Sequence, residues 1–241
     1  RHIETALSDK PKAWRPLVYC WRGGMRSTSM ALVLSQVGWR VTLLEGGYKS
    51  WRRSVVAGLD SGGTALPIIL VDGQTGTGKT AILHELARRG EQVLDLEGLA
   101  GHRGSAFGDF ADLEQPSQKA FETGIWSVLR DIDPQRPLFV EAESSLVGRR
   151  RVPVRIWQAM KQAPRIVVEA PVEARADFLM SAYPDLIKYH DKLVASLDRL
   201  KQMHSKERIA EWRALAGQGE YRQLAVELVT LAQRAGRLIE Q

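Results

Sequence analysis

The octapeptide Gly73-Gln74-Thr75-Gly76-Thr77-Gly78-Lys79-Thr80 matches G-x-x-x-x-G-K-[ST] at every fixed position and constrains the fold more than any other stretch of the chain. Such a loop needs a strand to deliver it and a helix to leave it. Only then do several backbone N–H groups face one point, with the positive end of the helix dipole behind them. The flanks have that form. Residues 66–72 are an apolar run of buried-strand length, and residues 81–89 repeat apolar positions at helical spacing. The motif therefore reads as a P-loop in an α/β fold. Its glycines and amides would wrap a diphosphate, Lys79 would reach a terminal phosphate as a point charge, and the Thr80 hydroxyl would suit Mg²⁺.

A second loop between strand and helix lies nearer the N-terminus. Cys20-Trp21-Arg22-Gly23-Gly24-Met25-Arg26-Ser27 follows the strand-like Leu17-Val18-Tyr19 and precedes a helix-like run over residues 27–36. It holds the only cysteine in the sequence. Loop amides and a helix start favour a thiolate over a thiol, and Arg26 is placed to curl back, favour the charged sulfur and hold an oxyanion by a bidentate fork. Gly23 and Gly24 let the backbone tighten around that anion. The alternative is a buried structural cysteine, which requires neither the glycines nor the arginine.

With 241 residues, 44% of them hydrophobic, the chain can hold one large or two modest domains. A single cysteine excludes an internal disulfide framework, and an unpaired thiolate fits a reducing cytoplasm. Apolar runs reach about six residues against the roughly 20 that span a bilayer, and no signal-peptide pattern opens the chain. A cytoplasmic protein with no membrane partner is expected. Residues 17–57 read as strand, loop, helix, strand (39–44) and helix (48–56), and a first domain is placed at 1–58. Its roughly 55 residues are few for a core and the chain opens on Arg1, so an N-terminal part of this domain is expected to be missing. Residues 58–64, rich in glycine and serine, read as a linker, and a second domain is placed at 65–241.

Within the second domain, residues 92–96 read as a strand and 98–108 as a loop containing His102-Arg103-Gly104-Ser105. A helix is expected over 117–131, and strands over 137–143 and 165–169. From residue 173 onward the pattern is helical, with Leu179, Leu186, Leu193, Leu197 and Leu200 on helix faces. The strand over 137–143 ends in Glu141 and Glu143, where a P-loop protein keeps an acidic group for Mg²⁺ or its water. Pairing of these carboxylates with Arg149, Arg150 and Arg151 is the other reading. The net charge of +6 permits a polyanionic partner, and much of it sits in Arg149, Arg150, Arg151 and Arg155. A solvated basic face is the bland alternative.

Two unlike anion sites in one chain resemble bacterial tRNA 2-selenouridine synthases, in which a rhodanese domain is joined to a P-loop domain. The likeness covers nearly the whole chain. It rests on Tyr19 through Ser27, on Leu44-Glu45-Gly46-Gly47-Tyr48-Lys49, on the P-loop, on Leu96-Glu97-Gly98-Leu99-Ala100 running into His102-Arg103-Gly104-Ser105-Ala106-Phe107-Gly108, and on Gln115-Pro116-Ser117-Gln118 with Phe121-Glu122. Departures are the absent first half of the rhodanese domain and Ser145, where the family would carry a basic residue. The implied fold is α/β: the C-terminal part of a rhodanese-like domain, then a P-loop NTPase-like parallel-sheet domain with a helical C-terminal region.

The resemblance implies a tRNA-modifying transferase that converts wobble 2-thiouridine to 2-selenouridine through S-geranyl-2-thiouridine. Geranyl diphosphate and selenophosphate would be the substrates, and Mg²⁺ an accessory ion with no tightly bound metal. Cys20 would take selenium as a selanyl-cysteine, with Arg22, Gly23, Gly24, Arg26 and Ser27 around the selenophosphate. Gly73 to Thr80 would hold the diphosphate, Glu141 or Glu143 the ion, and Arg149, Arg150, Arg151 and Arg155 the tRNA. Neither the tRNA set nor the oligomeric state follows. Rival readings are a P-loop kinase or NTPase with a regulatory rhodanese fragment, a cysteine-dependent phosphatase built on the Cys-x₅-Arg spacing, and an RNA-binding module with dead sites.

Overall fold

The computed structural model describes residues 5–60, 66–103 and 114–239. The chain divides into two compact units, Arg1–Ser61 and Gly62–Gln241. In the first, β1 (Leu17–Val18) and β2 (Thr42–Leu43) pair in parallel across the helix α1 (Met25–Gln36), and α2 (Gly47–Asp60) follows. Leu34, Trp39, Val55 and Leu59 are buried and form its core. Trp39 is also held by an edge-on contact with Trp14 and by its indole N–H, which donates to the Pro11 carbonyl. That inward turn leaves Thr42–Leu43, not the whole of 39–44, to pair as a strand. Burial of Leu59 likewise carries α2 through Gly58 to Asp60, so residues 58–60 of the expected linker are helical. Residues 61–64 of it lie outside the described residues.

The second unit is built on four parallel strands in the order β4 (Gln92–Leu94), β5 (Leu138–Glu141), β3 (Ile68–Asp72), β8 (Arg165–Val167). Ile68, Leu70 and Val71 are buried in β3, which explains its nearly continuous apolar sequence. The register sets Glu141 opposite Val71, so β5 ends level with the strand that delivers the P-loop. The helix α3 (Lys79–Arg88) leaves that loop. β4 stops two residues earlier than expected because the Asp95 carboxylate accepts from the Gly98 N–H at 2.7 Å and caps a short helix, α4 (Leu96–Ala100). That helix takes the start of the expected loop at 98–108; residues 104–108 lie outside the described residues.

Ser117 caps α5 (Gln118–Arg130), which buries Phe121 and Ile125. A hairpin of β6 (Leu146–Val147) and β7 (Arg150–Arg151), then α6 (Val154–Gln162), lead to β8. The remainder is helical: α7 (Val172–Ala182), α8 (Pro184–Lys188), α9 (His190–Arg199), a 3₁₀ turn at Leu200–Gln202, α10 (Lys206–Gly217) and α11 (Tyr221–Ile239). Leu193, Leu197, Leu200, Ile209, Trp212, Ala216 and Leu224 form one buried cluster there. The leucine spacing in α9 is thus core packing. Among the described residues no helix is long and apolar enough to cross a membrane.

Candidate active site

Cys20 sits where β1 gives way to the turn that starts α1. The Gly24 N–H points at its sulfur from 3.3 Å and the Ser27 hydroxyl from 3.2 Å. Ser27 is itself buried, so its position is fixed by packing. These contacts bring the Cys20 pKa down to about 6; the Ser27 hydroxyl is the largest cause and the Gly24 amide the next. The sequence pointed to loop amides, the helix start and Arg26; the Gly24 amide is one of those, whereas Ser27 as the largest contributor was not foreseen. In the structure Arg26 lines the same open pocket as Cys20, Trp21, Arg22, Gly24 and Met25. A second loop closes against this one. Tyr48 N–H donates to the Cys20 carbonyl at 2.9 Å and Lys49 N–H to the Trp21 carbonyl at 3.0 Å. Glycine is required at the junction: a Cβ on Gly47 (φ +60°) would stand 2.1 Å from the Cys20 carbonyl oxygen. The Gly46-Gly47 pair therefore shapes the cysteine loop from outside it, and Trp21 stacks on Tyr48 with centroids 5.1 Å apart.

In the second unit, the loop from Gly73 to Gly78 passes through left-handed backbone at Gly76 and Gly78 before α3 begins at Lys79. Lys79 Nζ lies across the loop and donates to the Gly73 carbonyl at 2.8 Å, while Thr77 Oγ1 closes the turn onto the Gln74 carbonyl at 2.9 Å. Thr80 Oγ1 donates to Glu97 Oε2 at 3.0 Å. Glu97, Glu141 and Glu143 form a cluster whose oxygens lie within 4.8 Å of one another. Glu141 is fully buried, and neither of its carboxylate oxygens has a hydrogen-bond partner among the described residues. Among the described residues Glu141 is therefore not paired with an arginine. Burial is the main cause that raises all three carboxyls above the ordinary range, with Glu97 reaching about 8 and Glu141 about 7. A divalent cation is the natural relief for converging buried carboxylates, and oxygen donors suit Mg²⁺.

Two members of this site escaped sequence reasoning. Glu97 lies in α4, and its sole signal was an acidic residue just beyond a strand. Arg175, buried in α7, donates Nε to the Thr75 carbonyl at 2.9 Å and Nη1 to Gln74 Oε1 at 2.6 Å. One hundred residues separate Arg175 from Thr75, and nothing local marks the pair.

His102 is buried against the hairpin turn, where a Cβ on Gly148 would come within 2.7 Å of its ring; the Arg103 guanidinium lies over the Tyr183 ring at 4.5 Å. Arg149, Arg150 and Arg151 fall on the β6–β7 hairpin and Arg155 on α6. Gln115 pins the hairpin by donating to the Ala100 and Val147 carbonyls and accepting from Arg149 N–H, and Gln118 brackets Arg151 through its N–H and carbonyl. This is a physical reason for the Gln-Pro-Ser-Gln sequence. Arg149 and Arg151 are exposed, whereas Arg150 is half-buried with an Nε that has no acceptor among the described residues.

Comparison with known proteins gives these sites a common setting. A family model described as the tRNA 2-selenouridine synthase AAA domain matches residues 66–225, and a rhodanese-like domain model matches residues 2–54. A tRNA 2-selenouridine synthase of Shewanella piezotolerans is 35% identical over 223 residues, which is 91% of this chain and 55% of the relative. The Shewanella loihica protein of the same name is 36% identical over 86% of this chain and 53% of its own length. That of Alcanivorax borkumensis is 33% identical over 77% of this chain and 54% of its own. The chain spans about half the length of the curated relatives it matches. With its P-loop unit matched from β3 into α11 and its cysteine loop inside the rhodanese match, the chain belongs to the tRNA 2-selenouridine synthase family.

Proposed function

We propose that the chain exchanges sulfur for selenium at wobble 2-thiouridine in tRNA, in two steps served by its two anion sites. In the first, the thione sulfur bonds to C1 of geranyl diphosphate, the C–O bond breaks, diphosphate leaves with the electron pair, and the N3 proton is lost to give S-geranyl-2-thiouridine. The loop from Gly73 to Gly78 and Lys79 bind the diphosphate and meet the charge that grows on it. Glu97, Glu141 and Glu143, with Thr80, would hold Mg²⁺, and the orphaned buried oxygens of Glu141 fit that ion. When bound, it would supply further charge neutralisation at the leaving group.

In the second step selenium replaces the geranylthio group at C2, and sulfur departs as geranylthiolate. Alkylation matters because a thione sulfur would have to leave as sulfide. Cys20 is the nucleophile toward selenophosphate: its thiolate attacks phosphorus, the S–P bond forms as the P–Se bond breaks, and selenide leaves with the electron pair to attack C2. Water then hydrolyses the phosphocysteine to thiol and phosphate. A selanyl-cysteine would instead require a two-electron change that neither substrate supplies. The Gly24 amide, Arg22 and Arg26 bind the phosphate moiety. The observation that carries this reading is the Cys20 sulfur facing the Gly24 N–H and the Ser27 hydroxyl, which favour its thiolate, in a chain whose other anion site offers carboxylates and a lysine but no thiol. The exposed Arg149 and Arg151 supply the tRNA contact. Mass spectrometry of nucleosides from 2-thiouridine tRNA, incubated with the protein, geranyl diphosphate and selenophosphate, tests it. 2-Selenouridine is expected with both substrates and S-geranyl-2-thiouridine with geranyl diphosphate alone; unmodified 2-thiouridine in both reactions rejects the reading.

A further inference from the structure

Beside the P-loop the helical region encloses a cavity of about 500 Å³, within the range that binds small organic ligands. Its walls come from α7, α8, α9, the 3₁₀ turn after it and α11, with Leu179, Ile187, Leu200, Leu224 and Leu228 among them. Only Thr75, Tyr183, His204 and Tyr221 bring a polar side chain to it. Thr75 is a P-loop residue, so the cavity borders the loop that would hold the diphosphate. The two are also fixed to one another. α7 carries Arg175, which grips the Thr75 carbonyl and the Gln74 side chain, and one turn further Leu179, which lines the cavity. A Cβ on Gly76 would lie 2.8 Å from the Arg175 carbonyl and 3.2 Å from Leu179 Cγ, so loop and helix are in close contact.

We propose that this cavity is the binding site for the isoprenoid chain of an allylic diphosphate whose head group occupies the P-loop. The proposal rests on the geranyl-transfer reading above and adds to it a location for the tail. A nucleoside is a poor occupant, because a base and ribose would bury several donors and acceptors against aliphatic walls, each unpaired group costing binding. A hydrocarbon chain carries none. Buried apolar surface then discriminates among ligands that the P-loop cannot tell apart, since amides and Lys79 read only phosphate charge. Chain length is therefore set in α7–α11 and phosphate recognition in the loop.

Titration calorimetry of the full chain with inorganic diphosphate, dimethylallyl diphosphate and geranyl diphosphate tests the assignment. Each additional buried carbon is worth up to roughly fourfold in affinity, so geranyl diphosphate should bind at least ~10-fold more tightly than dimethylallyl diphosphate. Its binding should also show the more negative heat-capacity change. Ala225→Phe, which fills the cavity, should erase that preference while leaving inorganic diphosphate affinity unchanged. Leu228→Ala, which enlarges it, should improve binding of the longer farnesyl diphosphate relative to geranyl diphosphate. The site is refuted if affinity is independent of chain length, or if folded Ala225→Phe keeps the full geranyl preference. Chain-length-dependent binding without S-geranyl-2-thiouridine would uphold the cavity and sink the transfer reading. S-geranyl-2-thiouridine formed by Ala225→Phe with wild-type KM would do the reverse.

Discussion

Replacing Ser27 by alanine isolates the group that does most to ionise Cys20. The Ser27 hydroxyl lies 3.2 Å from the sulfur and 2.9 Å from the Gly24 carbonyl, and its one proton can serve only one of them well at a time. A thiolate is the stronger acceptor, so ionisation draws that proton to sulfur, and this is the largest cause of a pKa near 6. At that value roughly nine in ten thiols are ionised at neutral pH, against a few per cent for an ordinary cysteine. The rate at one pH is nonetheless a poor assay. A fall of up to ~30-fold in thiolate is offset by a gain of ~10-fold in intrinsic nucleophilicity as the thiol becomes more basic. The net change would be only about threefold. The pH dependence of iodoacetamide alkylation avoids this cancellation, because its midpoint reports the pKa directly. In the wild type the midpoint should lie near pH 6, and in Ser27→Ala it should move up toward the ordinary thiol value of about 8.5. Arg26→Ala should move it less than Ser27→Ala. A folded Ser27→Ala protein that keeps the wild-type midpoint would refute the assignment and return the effect to the helix start and Arg26.

Cys20→Ala should abolish selenium incorporation while geranylation continues, so that S-geranyl-2-thiouridine accumulates in digested tRNA. Lys79→Ala should do the converse, suppressing geranyl transfer but leaving tRNA geranylated beforehand open to selenation. The acidic cluster predicts an unusual pH response. Its folded-state pKa values are raised, so the stabilising contribution is present below the unfolded value of about 4.3 and is lost as pH rises through about 7 to 8. Without divalent cations Tm should fall over that interval, Mg²⁺ should restore it most at the alkaline end, and Glu141→Gln should flatten the profile. Replacing Arg149 and Arg151 together should weaken tRNA binding and reduce the log–log salt slope by about one to two, measured by filter binding across salt concentrations. Gln115→Ala removes three hydrogen bonds that pin the hairpin and should lower stability by about 2 to 3 kcal/mol in urea unfolding.

Features encoded within a dozen residues were legible in the sequence, and those created by chain closure were not. The P-loop with its flanks was readable because the strand, turn and helix that make it are consecutive. The cysteine loop and its own Gly23 and Gly24 were readable for the same reason, but the part of Gly46 and Gly47 was not, since Gly47 acts through an approach to the Cys20 carbonyl that only the folded domain produces. Glu97 was hidden by the apolar run Val93-Leu94-Asp95-Leu96, which reads as strand; the Asp95 cap turns it into a helix and delivers the third carboxylate. Glu141 stood out as an acid at a strand end, yet its solitude could not be seen. The leucine spacing in the C-terminal helices announced a core but could not announce a hollow beside it, because periodicity reports which face is buried and not how completely the faces meet.

The partition of chemistry between the two units also has a physical logic. An allylic diphosphate is an alkylating agent, and a thiolate with a pKa near 6 is a nucleophile that would accept its carbon. Housed together, Cys20 would compete with the tRNA thione for the geranyl group and be capped irreversibly. Here the thiolate belongs to the first unit, while the P-loop, its carboxylates and the apolar cavity belong to the second. The second unit contains no cysteine, and its nearest acidic groups are buried carboxyls whose pKa values are raised by that burial, so they would be weaker nucleophiles than the Cys20 thiolate. Intact-mass analysis after incubation with geranyl diphosphate and tRNA should therefore find the geranyl group on tRNA and the Cys20 peptide unmodified. Stoichiometric geranylation of Cys20 during turnover would show that the two chemistries are not kept apart.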